Sequence, residues 1–205
     1  MSRFTPNYLC SRAAALTILL IFSAACFGQT QSNNELANIK IKNFGQMNGQ
    51  FYRGAQPKEK DYQSLAALGI KTVIDLRDNP EAYEKGDVER LGMTYVNIPM
   101  SDTEYPKREQ IDEFLKLVSA PATGKFFVHC AGGRHRTGVM GAIYRFNHDH
   151  WTYDQAYAEM KNYDFYTRWG HGAMKQFVQD YWQHLQSQAN AQQVNPTTST
   201  GTVIN

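Results

Sequence analysis

A buried strand that runs into a glycine-rich turn and then into a helix is the feature that most constrains this fold. Residues 125–129 (KFFVH) have the apolar composition of a strand in a sheet core. The turn that follows contains Gly132 and Gly133, and apolar residues then recur at helical spacing at Val139, Ile143 and Phe146. A strand, a tight turn and a helix in succession are the repeating unit of an α/β fold.

Strand and helix signals alternate along residues 36–185. The strand signals lie at residues 51–53, 71–76 and 93–98, and the helix signals follow Pro57, span 80–91, and recur at Ile111–Val118, after Thr152 and at Met174–Leu185. The sequence therefore predicts an α/β three-layer sandwich in which helices flank both faces of a central, mainly parallel sheet.

The balance of charge gives no global reason for a polyanionic partner. The chain has 21 Lys and Arg against 19 Asp and Glu, a formal net charge of +2. With 42% hydrophobic residues it can build a core, which excludes a wholly disordered chain. We therefore expect no nucleic-acid partner, and any recognition of an anion has to be local.

The first 28 residues have the pattern of a signal peptide. Arg3 and Arg12 precede an uncharged apolar run at Ala13–Ala25 that is short for a membrane span. We predict cleavage after Gly28, export to the periplasm or medium, and no membrane span in the mature chain. An uncleaved anchor and a lipoprotein acylated at Cys26 are the alternatives.

The mature chain divides into three parts by composition. Residues 29–43 are predicted to be an N-terminal extension, 44–186 a single folded domain, and 187–205 a disordered polar tail rich in Gln, Asn, Thr and Ser. Once the leader is removed, Cys130 is the only cysteine, so no internal disulfide is expected.

The turn after the 125–129 strand has the residue types of an anion cradle with a nucleophile. Its glycines let backbone N–H groups point inward, and the following helix directs its positive end to the same point. Such surroundings lower the pKa of a thiol, so Cys130 is expected to be a thiolate that attacks phosphorus. We expect the rest of the turn to bind the substrate, through Ala131, Gly132, Gly133, Arg134, His135 and Thr137.

The residues that flank the turn complete this hypothesis. The guanidinium group of Arg136 is planar and can bind two oxygens of the transferred phosphoryl group. The Thr137 hydroxyl can donate to the sulfur, and His129 is expected to support the loop. The alternatives are that Cys130 is a core residue and that the arginines form a solvated basic turn. The spacing of His129, Cys130 and His135 does not fit usual zinc patterns, so no metal or cofactor is predicted.

A leaving alkoxide or phenoxide needs a proton from an acid on a nearby loop. Residues 98–106 follow a predicted strand, so this loop should emerge at the same sheet edge as the cradle. Asp102 is the predicted acid and Glu104 the alternate. The competing interpretation is that Asp102 caps the next helix.

The HCAGGRHRTG segment at 129–138 resembles the signature of the cysteine-dependent protein tyrosine phosphatase superfamily, most closely its dual-specificity branch. FYRGAQP at 51–57 and IDLR at 74–77 resemble motifs of its small bacterial and atypical members, and the likeness covers about residues 44–168. The resemblance implies that Cys130 is the nucleophile and Arg136 the phosphate binder. It implies Asp102 as the acid less directly, since that loop varies.

The expected function is hydrolysis of phosphate monoesters, on phosphorylated proteins or small phosphate esters, through a cysteinyl-phosphate intermediate. Arg134 and His135 resemble the basic pair of atypical members that cleave inositol pyrophosphates, so an inositol phosphate or pyrophosphate phosphatase is one alternative. A phosphate-binding module that has lost catalysis is the other, although a binder needs no nucleophile.

Overall fold

The computed structural model describes residue 36 and residues 39–194. The predicted signal peptide, with Cys26, lies outside the described residues, as do most of the predicted extension and residues 195–205. The folded unit begins at Lys40, four residues before the predicted boundary at 44. Residues 40–43 belong to it because the Ala55 N–H donates to the Lys42 carbonyl at 2.8 Å and Asn43 contacts the glycine-rich turn.

Five strands form one sheet in the order β1-β2-β5-β3-β4. Only β1 is antiparallel to its neighbour, and the other pairings are parallel. The predicted mainly parallel sheet is therefore confirmed. The strands are β1 (Gly45–Gln46), β2 (Phe51–Ala55), β3 (Thr72–Arg77), β4 (Thr94–Met100) and β5 (Phe126–Cys130).

Six α-helices and a short 3-10 helix (Pro121–Thr123) accompany the sheet within the part of the chain that the structure describes. None of them combines the length and apolarity that crossing a bilayer requires. Their bounds are α1 (Asp61–Ala67), α2 (Glu84–Arg90), α3 (Arg108–Ser119), α4 (His135–His148), α5 (Tyr153–Asn162) and α6 (Gly172–Val194).

The alternation of side chains along β5 sends chemically different residues to the two faces of the sheet. Phe126, Val128 and Cys130 belong to the large core that includes residues of α3, α4, α5 and α6. Phe127 and His129 point to the opposite face, where His129 meets α2. The predicted layered architecture is confirmed, and it separates Cys130 from the histidine that precedes it.

The last helix is longer than the sequence analysis predicted. Helix α6 runs to Val194, so the prediction of a disordered tail from residue 187 is wrong for residues 187–194. Ala and Gln are good helix formers, and the apolar face of residues 174–185 gives the helix a packed base from which it continues. Side-chain bonds along the helix add to this, since Ser187 Oγ donates to the Gln183 carbonyl at 3.0 Å.

The packing of α3 against the sheet gives a direct test of this core. Phe114 is fully buried, whereas its neighbour Glu113 is exposed. We expect Phe114→Ala to lower the free energy of unfolding by about 3–5 kcal/mol, because it leaves a cavity in a close-packed core. Urea denaturation measures this, with Glu113→Ala as the matched control. Equal, small effects of the two substitutions would contradict the packing described.

Candidate active site

The glycine-rich turn joins the carboxyl end of β5 to the amino end of α4. Gly133 has a φ of 65°, which side-chain-bearing residues rarely adopt. A Cβ atom at this position would lie 2.4 Å from the carbonyl carbon of Gly54 in β2. Both the conformation and the space therefore require glycine here, and the turn can pass directly against the neighbouring strand.

Side chains from outside the turn bind its carbonyl groups and fix its shape. Arg53 Nη2 donates to the Gly133 carbonyl at 2.6 Å, and Asn43 Nδ2 donates to the Gly132 carbonyl at 2.8 Å. Arg53 is fully buried and lies over the ring of Tyr163 at 4.0 Å from its centroid. Burial lowers the pKa of Arg53 to about 10, so this guanidinium is still charged at neutral pH.

The Cys130 thiol lies at the base of the turn and is only 3% exposed. Burial raises its pKa. The nearby Thr137 hydroxyl and backbone N–H, the charge of Arg136 and the Gly133 N–H together outweigh burial, so the pKa of Cys130 lies below its ordinary value. These surroundings favour the thiolate form.

Arg136 is buried and its guanidinium is held at two points. Nη1 donates to the Met100 carbonyl at the end of β4 and to Asp78 Oδ1 just beyond β3, each at 3.0 Å. The carboxyl ends of two neighbouring strands therefore fix the direction of this side chain. Preorganisation of this kind allows a planar guanidinium to bind two oxygens of an anion with little loss of entropy.

The cavity above Cys130 has a volume of about 190 Å³ and brings most of the predicted site residues together. Asp102 lines it, whereas the alternate acid Glu104 does not. A larger cavity of about 280 Å³ between α3 and α6 contains no cysteine. The residues around the smaller one are Asp102, Cys130, Ala131, Gly132, Arg134, His135, Arg136, Tyr166 and His171.

A buried charge cluster lies on the other face of the sheet, beneath the turn. His129 Nε2 is 2.7 Å from Glu84 Oε1, and its Nδ1 is 3.8 Å from Asp75 Oδ1. Burial raises the pKa of Asp75. Burial also acts to raise the pKa of Glu84, but the contact with His129 outweighs it and leaves that pKa below its ordinary value. His129 is therefore anchored between two carboxylates directly before the nucleophile.

Asp75, Glu84 and His129 are also the residues that could hold a metal ion, since their ligand atoms lie within 4.8 Å of one another. The two ring nitrogens face different carboxylates, however, and each carboxylate has a further donor. Gln56 Nε2 donates to Glu84 at 2.9 Å and the Tyr95 hydroxyl to Asp75 at 3.0 Å. This arrangement is typical of a buried ion-pair network.

Sequence reasoning missed several residues of the site. His171 and Tyr166 line the cavity from the loop before α6, where no periodicity or motif identifies them. Trp169 lies on the same loop and is 76% exposed. Arg53 belongs to the FYRGAQP segment, so the motif was found but its contact with the turn was not.

The hydrogen bond from Thr137 makes a testable contribution to the acidity of Cys130. Thr137→Val keeps the shape of the side chain and removes the hydroxyl donor. We expect the pKa of the thiol to rise by about one unit, the effect of one hydrogen bond to a charged group. The pH dependence of alkylation by iodoacetamide measures it, and an unchanged midpoint would show that the hydroxyl does not act on the sulfur.

The contact between Arg53 and Gly133 predicts that Arg53 supports anion binding without touching the anion. Arg53→Met should lower the free energy of unfolding by about 1–3 kcal/mol, because the Gly133 carbonyl loses its buried donor. Added phosphate should stabilise the wild type more than the variant in urea denaturation. Arg90→Met is the control, since its guanidinium is exposed. Equal stabilisation of wild type and Arg53→Met by phosphate would contradict this role.

Several known proteins with similar sequences are named as phosphatases. The putative tyrosine-protein phosphatase OCA1 of Mycosarcoma maydis is 34% identical over 114 residues, which cover 50% of this chain and 68% of OCA1. The dual specificity protein phosphatase TpbA of Pseudomonas aeruginosa is 27% identical over 60% of this chain and 55% of TpbA. The inositol diphosphatase SIW14 of Saccharomyces cerevisiae is 26% identical over 62% of this chain, but the match spans only 47% of SIW14.

Solved structures share the fold. The catalytic core of Siw14 superimposes with a TM-score of 0.59 at 22% identity, covering 73% of this chain and 93% of that core. TpbA also has a TM-score of 0.59 and covers 68% of this chain. A family model described as the DSP-PTPase phosphatase fused to NAD+ kinase matches residues 29–180. The chain therefore belongs to this family of cysteine-dependent, tyrosine and dual-specificity type phosphatases.

Proposed function

We propose that this protein hydrolyses phosphate monoesters in two displacements, with Cys130 as nucleophile, Arg136 as phosphate binder and Asp102 as acid and base. The observation that carries the proposal is that one small cavity combines a thiol of lowered pKa, a preorganised guanidinium and a carboxylate. The amino end of α4 adds its positive dipole to the same point.

In the first step, the Cys130 thiolate attacks phosphorus and the bond from phosphorus to the ester oxygen breaks. The Asp102 carboxyl group gives its proton to the leaving oxygen, so an alcohol or phenol departs rather than its anion. Arg136 and the N–H groups of the turn bind the oxygens on which negative charge is spread in the transition state.

In the second step, the Asp102 carboxylate takes a proton from a water molecule whose oxygen attacks the phosphocysteine. The bond between phosphorus and sulfur breaks, inorganic phosphate leaves and the thiolate is restored. The Thr137 hydroxyl lies close enough to lower the pKa of the thiol, and in this step it donates a hydrogen bond to the departing sulfur. The cycle consumes one water molecule and involves no redox change.

We propose phosphorylated proteins as substrates, including proteins that carry the aryl phosphate group of phosphotyrosine. Tyr166 and the stacked rings of His135 and His171 line the cavity and can flank an aromatic leaving group. Relatives named as tyrosine and dual-specificity phosphatases support this assignment. Arg134 in the same cavity, together with the inositol diphosphatase SIW14, favours the second candidate, an inositol phosphate or pyrophosphate.

Phosphate release from parallel substrates tests the proposal. Phosphotyrosine peptide, phosphoserine peptide and inositol hexakisphosphate are incubated with the purified protein in the presence of EDTA, with Cys130→Ser as control. We expect release that the chelator does not affect and that Cys130→Ser abolishes, fastest with phosphotyrosine peptide. Preference for the inositol phosphate would favour the second candidate. Binding without release from any substrate would leave only the binding-module alternative.

The role of Asp102 is tested by comparing leaving groups. Phenoxide needs a proton to leave, whereas 4-nitrophenoxide is stable enough to leave without one. We expect Asp102→Asn to reduce kcat/KM, which covers the steps up to departure of the leaving group, by about 10²-fold or more for phenyl phosphate and much less for 4-nitrophenyl phosphate. Glu104→Gln is the matched control on the same loop and should affect neither substrate. A selective loss in Glu104→Gln instead would reassign the acid to Glu104.

A further inference from the structure

The loop that carries Asp102 has little support of its own. It comprises residues 101–106 between β4 and α3, and Asp102, Thr103 and Glu104 are all exposed. Its internal side-chain bonds all involve Ser101 Oγ, which accepts from the backbone N–H groups of Thr103 and Glu104 at 3.3 and 3.2 Å and lies 3.5 Å from Thr103 Oγ1. A catalytic acid has to be placed within hydrogen-bond reach of the leaving oxygen, so this loop needs an external anchor.

Helix α6 and the residue before it supply that anchor. His171 Nδ1 donates to the carbonyl oxygen of Asp102 itself at 2.8 Å, and His171 is only 9% exposed. Farther along the loop, the Tyr105 hydroxyl donates to Asp180 of α6 at 3.1 Å, but Tyr105 is 46% exposed. The bond from His171 is therefore the buried contact, and it acts on the residue that bears the acid.

The same histidine is also joined to the glycine-rich turn. Its ring is parallel to that of His135, with 3.5 Å between centroids and 12° between planes. His135 opens α4, and its Nε2 donates to the Tyr166 carbonyl at 3.1 Å. Each carbonyl partner accepts only, so His171 is protonated at Nδ1 and His135 at Nε2.

The charge state of His135 also favours close stacking of its ring on His171. Burial, followed by the proximity of His171, lowers the pKa of His135 to about 4, so this ring is neutral at neutral pH. A neutral ring stacks on its neighbour without the repulsion that two imidazolium ions would suffer. The side chain of His171 thereby links the loop of Asp102 to the start of α4 at His135, although these two residues are more than thirty positions apart in the sequence.

We propose that His171 is a positioning residue, which holds the Asp102 carboxyl group over Cys130 through its bond to the Asp102 backbone. Because its ring stacks on His135, the position of the acid depends on the position of the phosphate-binding turn. This inference rests on the proposed function, because it assigns His171 a role in proton delivery by Asp102.

Two substitutions distinguish the hydrogen bond that His171 donates to the Asp102 carbonyl from the stacking of its ring on His135. His171→Asn retains a donor near the position of Nδ1 and loses the ring, whereas His171→Phe retains a stacking ring and loses the donor. We expect His171→Phe to reduce kcat/KM for phenyl phosphate about tenfold, which is a part of the contribution that a general acid makes to departure of the leaving group. For 4-nitrophenyl phosphate the loss should be small, and His171→Asn should recover most of the phenyl phosphate activity.

A double-mutant cycle with Asp102→Asn completes the test. If His171 acts through Asp102, His171→Phe should cause no further loss in the Asp102→Asn background. His184→Phe, an exposed position on α6, is the control and should behave as wild type. Thermal denaturation of each variant shows whether the fold is intact.

The inference is overturned if folded His171→Phe slows both substrates equally, or slows Asp102→Asn by the factor that it slows wild type. Failure of the proposed function has a different signature. In that case Asp102→Asn itself would not discriminate between the two leaving groups, or Cys130→Ser would keep its turnover, and the inference would fall with it.

Discussion

The close approach of Gly133 to the backbone of β2 is the constraint on which the site depends. The turn can pass against the backbone of Gly54 and Ala55 only because Gly133 has no side chain, since a Cβ atom there would collide with that backbone. This approach brings the Gly133 carbonyl within reach of Arg53 and fixes the shape of the loop that surrounds Cys130. The pKa of the thiol follows from that shape, since Gly133 and Thr137 donate to the sulfur only when the loop is wound in this way.

The alternation of side chains along β5 gives the site its two supports. Cys130 faces the large apolar core beside α4, where burial would by itself suppress the thiolate. His129 faces the opposite layer and is fixed between Asp75 and Glu84. A hydrogen-bonded charge cluster on one face and a packed core on the other hold the strand rigidly, so the nucleophile has a fixed position relative to α4.

The proposed acid, Asp102, is attached less firmly than the proposed nucleophile, Cys130, and for a physical reason. A nucleophile and its oxyanion donors must be preorganised, whereas an acid on a loop has to admit substrate and release product. Asp102 is accordingly exposed, and its backbone carbonyl accepts a hydrogen bond from the buried His171. The fold thus combines a cradle built from adjacent elements with an exposed acidic residue held by a residue distant in the sequence.

The sequence by itself determined the parts of this protein that depend on local spacing. The strand–turn–helix at 125–146, the layered α/β architecture and the set of groups in the turn follow from residues that are neighbours in the chain. Asp102 could be placed because carboxyl ends of parallel strands meet at one sheet edge, a rule of topology rather than of contact.

Tertiary structure alone decided which residues that are distant in the sequence come into contact. The role of Arg53 at the turn, the pairing of His129 with Glu84, and the stack of His171 on His135 join residues with no common periodicity. The continuation of α6 to Val194 likewise depends on the packed base from which the helix grows, and its polar composition does not reveal it. Such contacts arise when elements pack, because packing and not spacing brings these side chains together.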